Sequence, residues 1–441
     1  MSTLDTAEAK AVPTLGELFS DGSAIDQLRG NQLVLWQQGQ EHIAPAHQHN
    51  GRTYTAIALD PRLEQLLCLP SRSEDFGTGA ELISDLSKLL STYLALDDSA
   101  TLLIATFILS TWVGDCLPAA PCLNPCGDPE TETTLLELLA CLCRRPLRAT
   151  EPSLAQLANL PAGLCPTLIV KNPKPRSMVQ LVRALTDRDA NFLRAGRLVN
   201  LQCSIVVHTQ DPLTVPALPI ALHAGNTPYR RIRRCEAQEL AEEFQPRLLR
   251  YRLVQHQQVT QSQFDYCDFG PPTRVLARIL GASVEGMPEV QRAVVDALVP
   301  LDEECKTERS QGVEAAVLEA LLVPCHEGKP EAFVAEIAGL ANGIFLGRQE
   351  RLELSPKAVG AIIRERLGLC AERCATGYRL MLTENVRRRI HQLAAGYNVL
   401  SMLKSADGCP SCLELQVPKT VLYPLPAPNV QQVHQVHESG G

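Results

Sequence analysis

The chain has 441 residues and a mass of 48.2 kDa; it is 45% hydrophobic and 20% charged, which suits a globular protein with room for about two to four compact units. Its net charge of -8 and pI near 5.8 exclude a chain that coats nucleic acid uniformly, but leave room for a local basic patch. Aromatic residues make up only 4%, so the cores are expected to be built from Leu, Val, Ile and Ala.

The first residues, MSTLDTAEAKAVP, are polar and read as a loose leader without the basic-then-apolar pattern of an export signal. With sixteen scattered cysteines, this predicts a reducing, cytoplasmic setting in which most thiols are small buried hydrophobes. From Leu15 to about Ser73, short runs such as QLVLWQQ and RTYTAIAL are broken by Gly, Asn, Asp and Pro, the pattern of a small β-rich region. His47 and His49, in PAHQHNGR, fall between two strand candidates and read as part of a turn.

From Gly79 the apolar spacing becomes helical, in ELISDLSKLLSTYLAL and then SATLLIATFILSTW. The second run holds about 15 apolar residues and ends at Asp115 and Pro118, too short to span a bilayer, so a buried helix is expected and no membrane contact. Next come a short apolar lead (Ala120-Pro-Cys-Leu123), a loop, and a helix former (Leu135-Leu-Glu-Leu-Leu139). LCPTLIVKNPKP and LQCSIVVHTQDP follow as buried strands closed by turn residues. Strands alternating with helices imply a parallel sheet with crossover helices.

The loop keeps the register of a phosphate-binding loop, G-x-x-x-x-G-K-[ST], while losing two of its key residues. Gly127 stands at the start, Glu132 and Thr133 replace the second glycine and the lysine, and Thr134 holds the hydroxyl position. Asp128, Glu130 and Glu132 put three carboxylates where a polyphosphate would lie. A helix N-terminus favours negative charge, so these acids would occupy the anion's place. The apolar strand Pro166-Thr-Leu-Ile-Val170 ends in Lys171-Asn172, where an active enzyme of this class carries acids for magnesium. A chance resemblance in an unrelated α/β domain is the bland alternative.

In the order of these parts, residues about 80 to 250 resemble the ATPase core of helicase-like P-loop proteins of phages, prophages and bacterial mobile elements, a group related to superfamily 3 and AAA+ helicases. The resemblance implies a RecA/AAA-like sheet, with Ser204-Ile-Val-Val-His-Thr209 as the strand carrying a polar sensor. It does not imply activity. Arg230, Arg231, Arg233 and Arg234 resemble a trans-acting arginine cluster, or form a solvated basic face. No cofactor is expected. ATP and magnesium enter only if the chain is an atypical ATPase, with Lys171 standing in for the lost lysine.

After a mostly helical stretch from about 236 to 304, the segment 313–399 reads as three helices, a small hairpin and a closing helix, an order that resembles a winged helix. Ser355 is a good N-cap and Pro356 suits the first helical position, so residues 355–367 are the expected recognition helix. Lys357, Arg364 and Arg366 would meet a duplex, Arg373 and Arg379 would flank the wing, and Arg387, Arg388 and Arg389 lie on the closing helix. Residues 350–404 hold ten Lys/Arg against five Asp/Glu, a basic module in an acidic chain. DNA is the expected partner, with protein partners or a homo-oligomer also open, including a protein-interaction module without nucleic acid.

Cys409-Pro-Ser-Cys412 has metal-ligand spacing but lacks a second pair in the tail, so it reads as a turn, with Cys370 and Cys374 the only thiols suggested to complete it in space. The tail beyond Val417 is rich in Pro, Gln and small polar residues and reads as disordered, with His434 and His437 solvated. The expected organisation is a leader and small β-rich region (1–78), a degenerate P-loop NTPase-like core (79–250), a helical connector (251–308), a winged-helix domain (309–404), and a CxxC turn with a disordered tail (405–441).

Overall fold

The computed structural model describes residues 11–161, 163–171, 175–188, 191–194, 197–210, 213, 217–223, 232–399 and 409–416. Asn172, Arg230, Arg231, His434 and His437 lie outside them. The chain divides into two compact units, residues 1–302 and 303–441. Among the described residues, no helix is long and apolar enough to cross a membrane.

The first unit begins with seven short strands. Gly16–Leu18, Ala24–Leu28, Gln32–Gln37 and Gln40–Ala44 form an antiparallel meander; Val12–Thr14, Arg52–Ala56 and Ala46–His49 form a second sheet. The hairpin linking Ala46–His49 to Arg52–Ala56 turns through Asn50-Gly51, both with positive φ, the two-residue turn whose twist matches its strands. His47 and His49 therefore sit on a strand and not in the turn. His49 is buried with its Nε2 3.3 Å from an Asp21 carboxylate oxygen.

Two helices follow. Gly79–Tyr93 is closed by a capping box between Thr78 and Glu81. Asp98–Trp112 starts at Asp97, whose side chain accepts from the Ala100 N–H at 2.7 Å. Nearly every residue of the second helix from Thr101 onward is buried, as its all-round apolar sequence requires. Its hydroxyls turn back onto the helix: Thr106, Ser110 and Thr111 donate to the carbonyls of Leu102, Phe107 and Ile108.

Five parallel strands make the central sheet: Cys122–Gly127, Pro146–Ala149, Thr167–Lys171, Ile205–His208 and Leu218–Leu222. In space they run fifth, first, fourth, third, second, so the first strand lies between the fourth and fifth. This mixed α/β core with its parallel five-stranded sheet is consistent with a RecA/AAA-like core. Pro129–Leu142 and Pro175–Thr186 are two of its crossover helices. The strand order reverses beside the first strand, and in open parallel sheets the crevice at that switch point, beyond the carboxyl ends, is where ligands bind.

A buried ionic cluster joins this core to the meander and to the long helix Arg234–Gln261. Asp26, on a meander strand, meets Arg144 at 2.8 Å, Arg145 at 2.6 Å and Arg252 at 2.9 Å; all four side chains are at most 4% exposed. Arg252 also holds Asp115 through two nitrogens, at 2.6 and 2.7 Å. Ala24, Leu28 and Val34 of the meander share one apolar core with the helices and the sheet.

The second unit runs helix Val313–His326, strand Glu331–Phe333, helix Val334–Gly347, helix Pro356–Ala361, strands Glu372–Cys374 and Gly377–Met381, and helix Glu384–Gly396. The helix at Pro356 passes into a π-type turn over Ile362–Arg366. The three strands form one antiparallel sheet with Gly377–Met381 in the middle. Ile337, Phe345, Val359, Ile363, Leu380 and Ile390 are among the residues that close its core. A short helix, Pro410–Gln416, ends the described chain.

Candidate functional site

The stretch that resembles a phosphate-binding loop in sequence lies at the switch point. Gly127 ends the first strand with φ +115°, and a Cβ there would stand 2.3 Å from the Leu222 carbonyl oxygen of the fifth strand. The glycine is required by this backbone approach, whether or not a phosphate ever binds. The next N–H, that of Asp128, donates to the same carbonyl at 3.0 Å.

The chain after Gly127 does not open into a wrapping loop. The helix begins at Pro129, one residue on, so the stretch that would cradle phosphates is a cap and a first helical turn. Its anion-binding donors are absent or engaged. Pro129 has no N–H, and the Thr131 N–H and hydroxyl both donate to the Asp128 carboxylate, at 2.8 and 2.7 Å. The Thr131 hydroxyl and N–H hold the Asp128 carboxyl below the usual range. Asp128 thus occupies the place an anion would take, and Glu130 is exposed beside it.

Glu132 goes the other way and is fully buried. Among the described residues its oxygens meet two basic groups: Lys171 Nζ at 3.1 Å, from the end of the third strand, and His208 Nδ1 at 3.3 Å, from the end of the fourth. Lys171 also reaches the Thr133 hydroxyl at 3.5 Å, while that hydroxyl donates back to the Pro129 carbonyl at 3.0 Å. Thr134 is buried. Burial pushes the His208 imidazole below its ordinary pKa, against the opposing pull of the Glu132 carboxylate. Glu132, Thr133 and Lys171, singled out in the sequence for separate reasons, meet at one place. The lysine at the strand end already has a carboxylate for a partner.

Asn124 escaped the sequence reading and organises the strand beneath this site. Ile205 N–H donates to Pro121 O and Thr209 N–H to Pro125 O, four residues on along both strands. In that alternation the amide facing Val207 O belongs to position 125, and Pro125 has no N–H. The Asn124 side chain fills the gap: its Nδ2 donates to Val207 O at 2.7 Å and to the Thr209 hydroxyl at 2.8 Å, and its Oδ1 accepts from Leu213 N–H at 2.8 Å. The signal was an Asn-Pro pair inside an otherwise apolar strand.

The basic residues of the second unit differ in their surroundings. Lys357, Arg373 and Arg389 are exposed. Arg364 is exposed and pairs with its neighbour Glu365 at 2.9 Å, and Arg388 pairs with Glu384 at 3.2 Å. Arg366 is paired with Glu314, and Arg379 with Glu331 at 2.7 Å. Arg387 is a structural tie, donating to the carbonyls of Leu382, Cys325 and Lys329. In the first unit, Arg233 and Arg234 are exposed at the start of the long helix.

No family model matches the chain, and no curated protein matches it. Among solved structures it is similar to the apo C-terminal region of NrS-1, with 10% identity and a TM-score of 0.32 over 80% of this chain and 94% of that one. It is also similar to Cdc6p from Pyrobaculum aerophilum, with 12% identity and a TM-score of 0.19 over 77% of this chain and 97% of that one. Drosophila ORC bound to DNA gives 11% identity and a TM-score of 0.17 over 79% and 95%. Overlaps this loose add nothing to the strand order and register.

Proposed function

We propose that the α/β core is a non-catalytic relative of P-loop NTPases, and that the second unit is a winged helix that contacts nucleic acid. The chain would act as a DNA-binding or scaffold component in replication or regulation on mobile elements, the setting its sequence resemblance implies. One observation carries the non-catalytic reading: Glu132 is buried at the switch point and paired with Lys171 and His208, while Asp128 closes the helix N-terminus. A triphosphate placed there would face both carboxylates, and Lys171 could meet it only by leaving Glu132. Titration calorimetry of the full chain with ATP and magnesium is expected to give no binding heat. A micromolar dissociation constant would overturn the reading in favour of an atypical ATPase in which Lys171 leaves Glu132 for the phosphates.

The nucleic-acid reading is supported by the helix–strand–helix–helix–strand–strand order of the second unit and by its exposed basic residues. Lys357, Arg373 and Arg389, with Arg364 and Arg388 beside acids of their own segments, are the contact set, and Arg366 and Arg379 are further members tied to acids of other elements. Phosphate contacts release counterions, so five of them predict a log-affinity slope of about -4 to -5 against log salt. Fluorescence anisotropy of a labelled duplex with the full chain measures it. Absent binding at low salt, or a flat response, would turn the unit into a protein-interaction module.

A further inference from the structure

Away from the degenerate loop, the second unit gathers two imidazoles and two thiols at one point. His326 ends the helix Val313–His326, His391 lies in the middle of Glu384–Gly396, and Cys409 and Cys412 bracket the first turn of Pro410–Gln416. Their ligand atoms all lie within 4.8 Å of one another. The two Nε2 atoms are 3.2 Å apart, Cys409 Sγ is 3.3 Å from His391 Nε2, and Cys412 Sγ is 3.3 Å from His326 Nε2. Around a tetrahedral zinc, with Zn–N about 2.05 Å and Zn–S about 2.3 Å, the N···N edge is about 3.3 Å and the N···S edge about 3.6 Å. The three distances fall close to those edges. His391 and Cys412 are buried, at 1% and 3% exposure.

The surroundings prepare the imidazole for such a role. His391 Nδ1 is 2.8 Å from the Arg387 carbonyl oxygen, and a carbonyl only accepts, so the proton sits on Nδ1. Nε2 is left with its lone pair aimed into the cluster, the outer arrangement that orients a metal-bound histidine. Arg387 is itself tied to the carbonyl of Cys325, the residue before His326. Lone pairs that converge at 3.2 Å repel unless a proton or cation lies between them. A Cys-x-x-Cys pair oxidised to a disulfide would have no use for two histidines. Among the described residues the cluster does not include Cys370 or Cys374, the thiols suggested as partners from the sequence.

We propose that His326, His391, Cys409 and Cys412 form a structural zinc site that fastens the Pro410–Gln416 helix across two helices of the second unit. Four protein ligands close the coordination sphere, which is the pattern of a structural and not a catalytic zinc. Two thiolates with two imidazoles in tetrahedral array favour zinc over the hard cations. The site is independent of the nucleotide and nucleic-acid readings above.

The test uses the full-length chain, purified under reducing conditions without a metal-affinity step, and elemental analysis by mass spectrometry. About one zinc per chain is expected. Cys409→Ser with Cys412→Ser is expected to lose it. Cys370→Ser with Cys374→Ser is expected to keep it. Replacing the zinc with cobalt provides a second readout, the intense visible bands of a four-coordinate thiolate-bound ion. A wild-type chain that neither carries zinc nor develops those bands with cobalt would overturn the site, and so would metal content unchanged in the Cys409/Cys412 variant.

Discussion

Gly127 and Asn124 show how single positions on the first strand answer to backbone geometry. Gly127→Ala would drive a methyl into the Leu222 carbonyl and hold a side chain at a φ that L residues avoid. A loss of about 2 to 4 kcal/mol in urea unfolding is expected. Asn124→Leu keeps the volume but leaves Val207 O and Leu213 N–H without their partner. That substitution is expected to cost about 1 to 3 kcal/mol by the same measurement. The glycine could be picked out in the sequence because a motif pointed to it. The reason it is there could not, because the Leu222 carbonyl is 95 positions away along the chain.

Among elements, the helix starting at Pro129 is the informative one. Its first turn binds its own acid, and its buried face carries Glu132 into contact with the ends of two strands. Lys171→Ala leaves that carboxylate buried with, among the described residues, only His208 beside it. A cost of about 1 to 3 kcal/mol is expected, less than for a fully enclosed pair because Lys171 is half exposed. If the lysine instead served phosphates, the same variant would be neutral for stability. The alternation of strands and helices was readable from apolar runs such as TLIV and SIVV, which lie in the interior of the sheet. The edge strands were not: PLRA is short, and LPIAL carries a proline, which sheets tolerate at edges and which argues against a strand in sequence. The metal-ligand cluster was half legible. Cys-x-x-Cys is a local pattern, whereas His326 and His391 are brought to it only by the packing of two helices.

At the scale of the first unit, two sets of buried groups set its response to acid. Burial holds the imidazoles of His208 and His256 neutral, with their pKa values below the ordinary one. The unfolded chain takes up their protons first as the pH falls, so stability declines below about pH 6.5. His208→Gln is expected to flatten that decline. Burial alone would raise the carboxyls of Asp26 and Asp115, but the neighbouring guanidiniums outweigh it and hold both well below the usual range. Their stabilisation is complete above about pH 4 and is lost as the pH falls further. Thermal melts between pH 3 and 8 should therefore show two successive drops, and Asp26→Asn should lower the midpoint at neutral pH, by about 3 to 5 kcal/mol in stability.

The carboxylate of Asp26 also decides where the polypeptide can be cut. A clone that starts at residue 79, the natural choice for anyone wanting the α/β core alone, removes an acid that Arg144, Arg145 and Arg252 all meet directly. Arg252 would keep Asp115, but Arg144 and Arg145 would lose their carboxylate in an apolar interior stripped of Ala24, Leu28 and Val34. Such a fragment should come out of the cell as inclusion bodies, and co-expressing residues 11–78 as a separate peptide should return it to the soluble fraction.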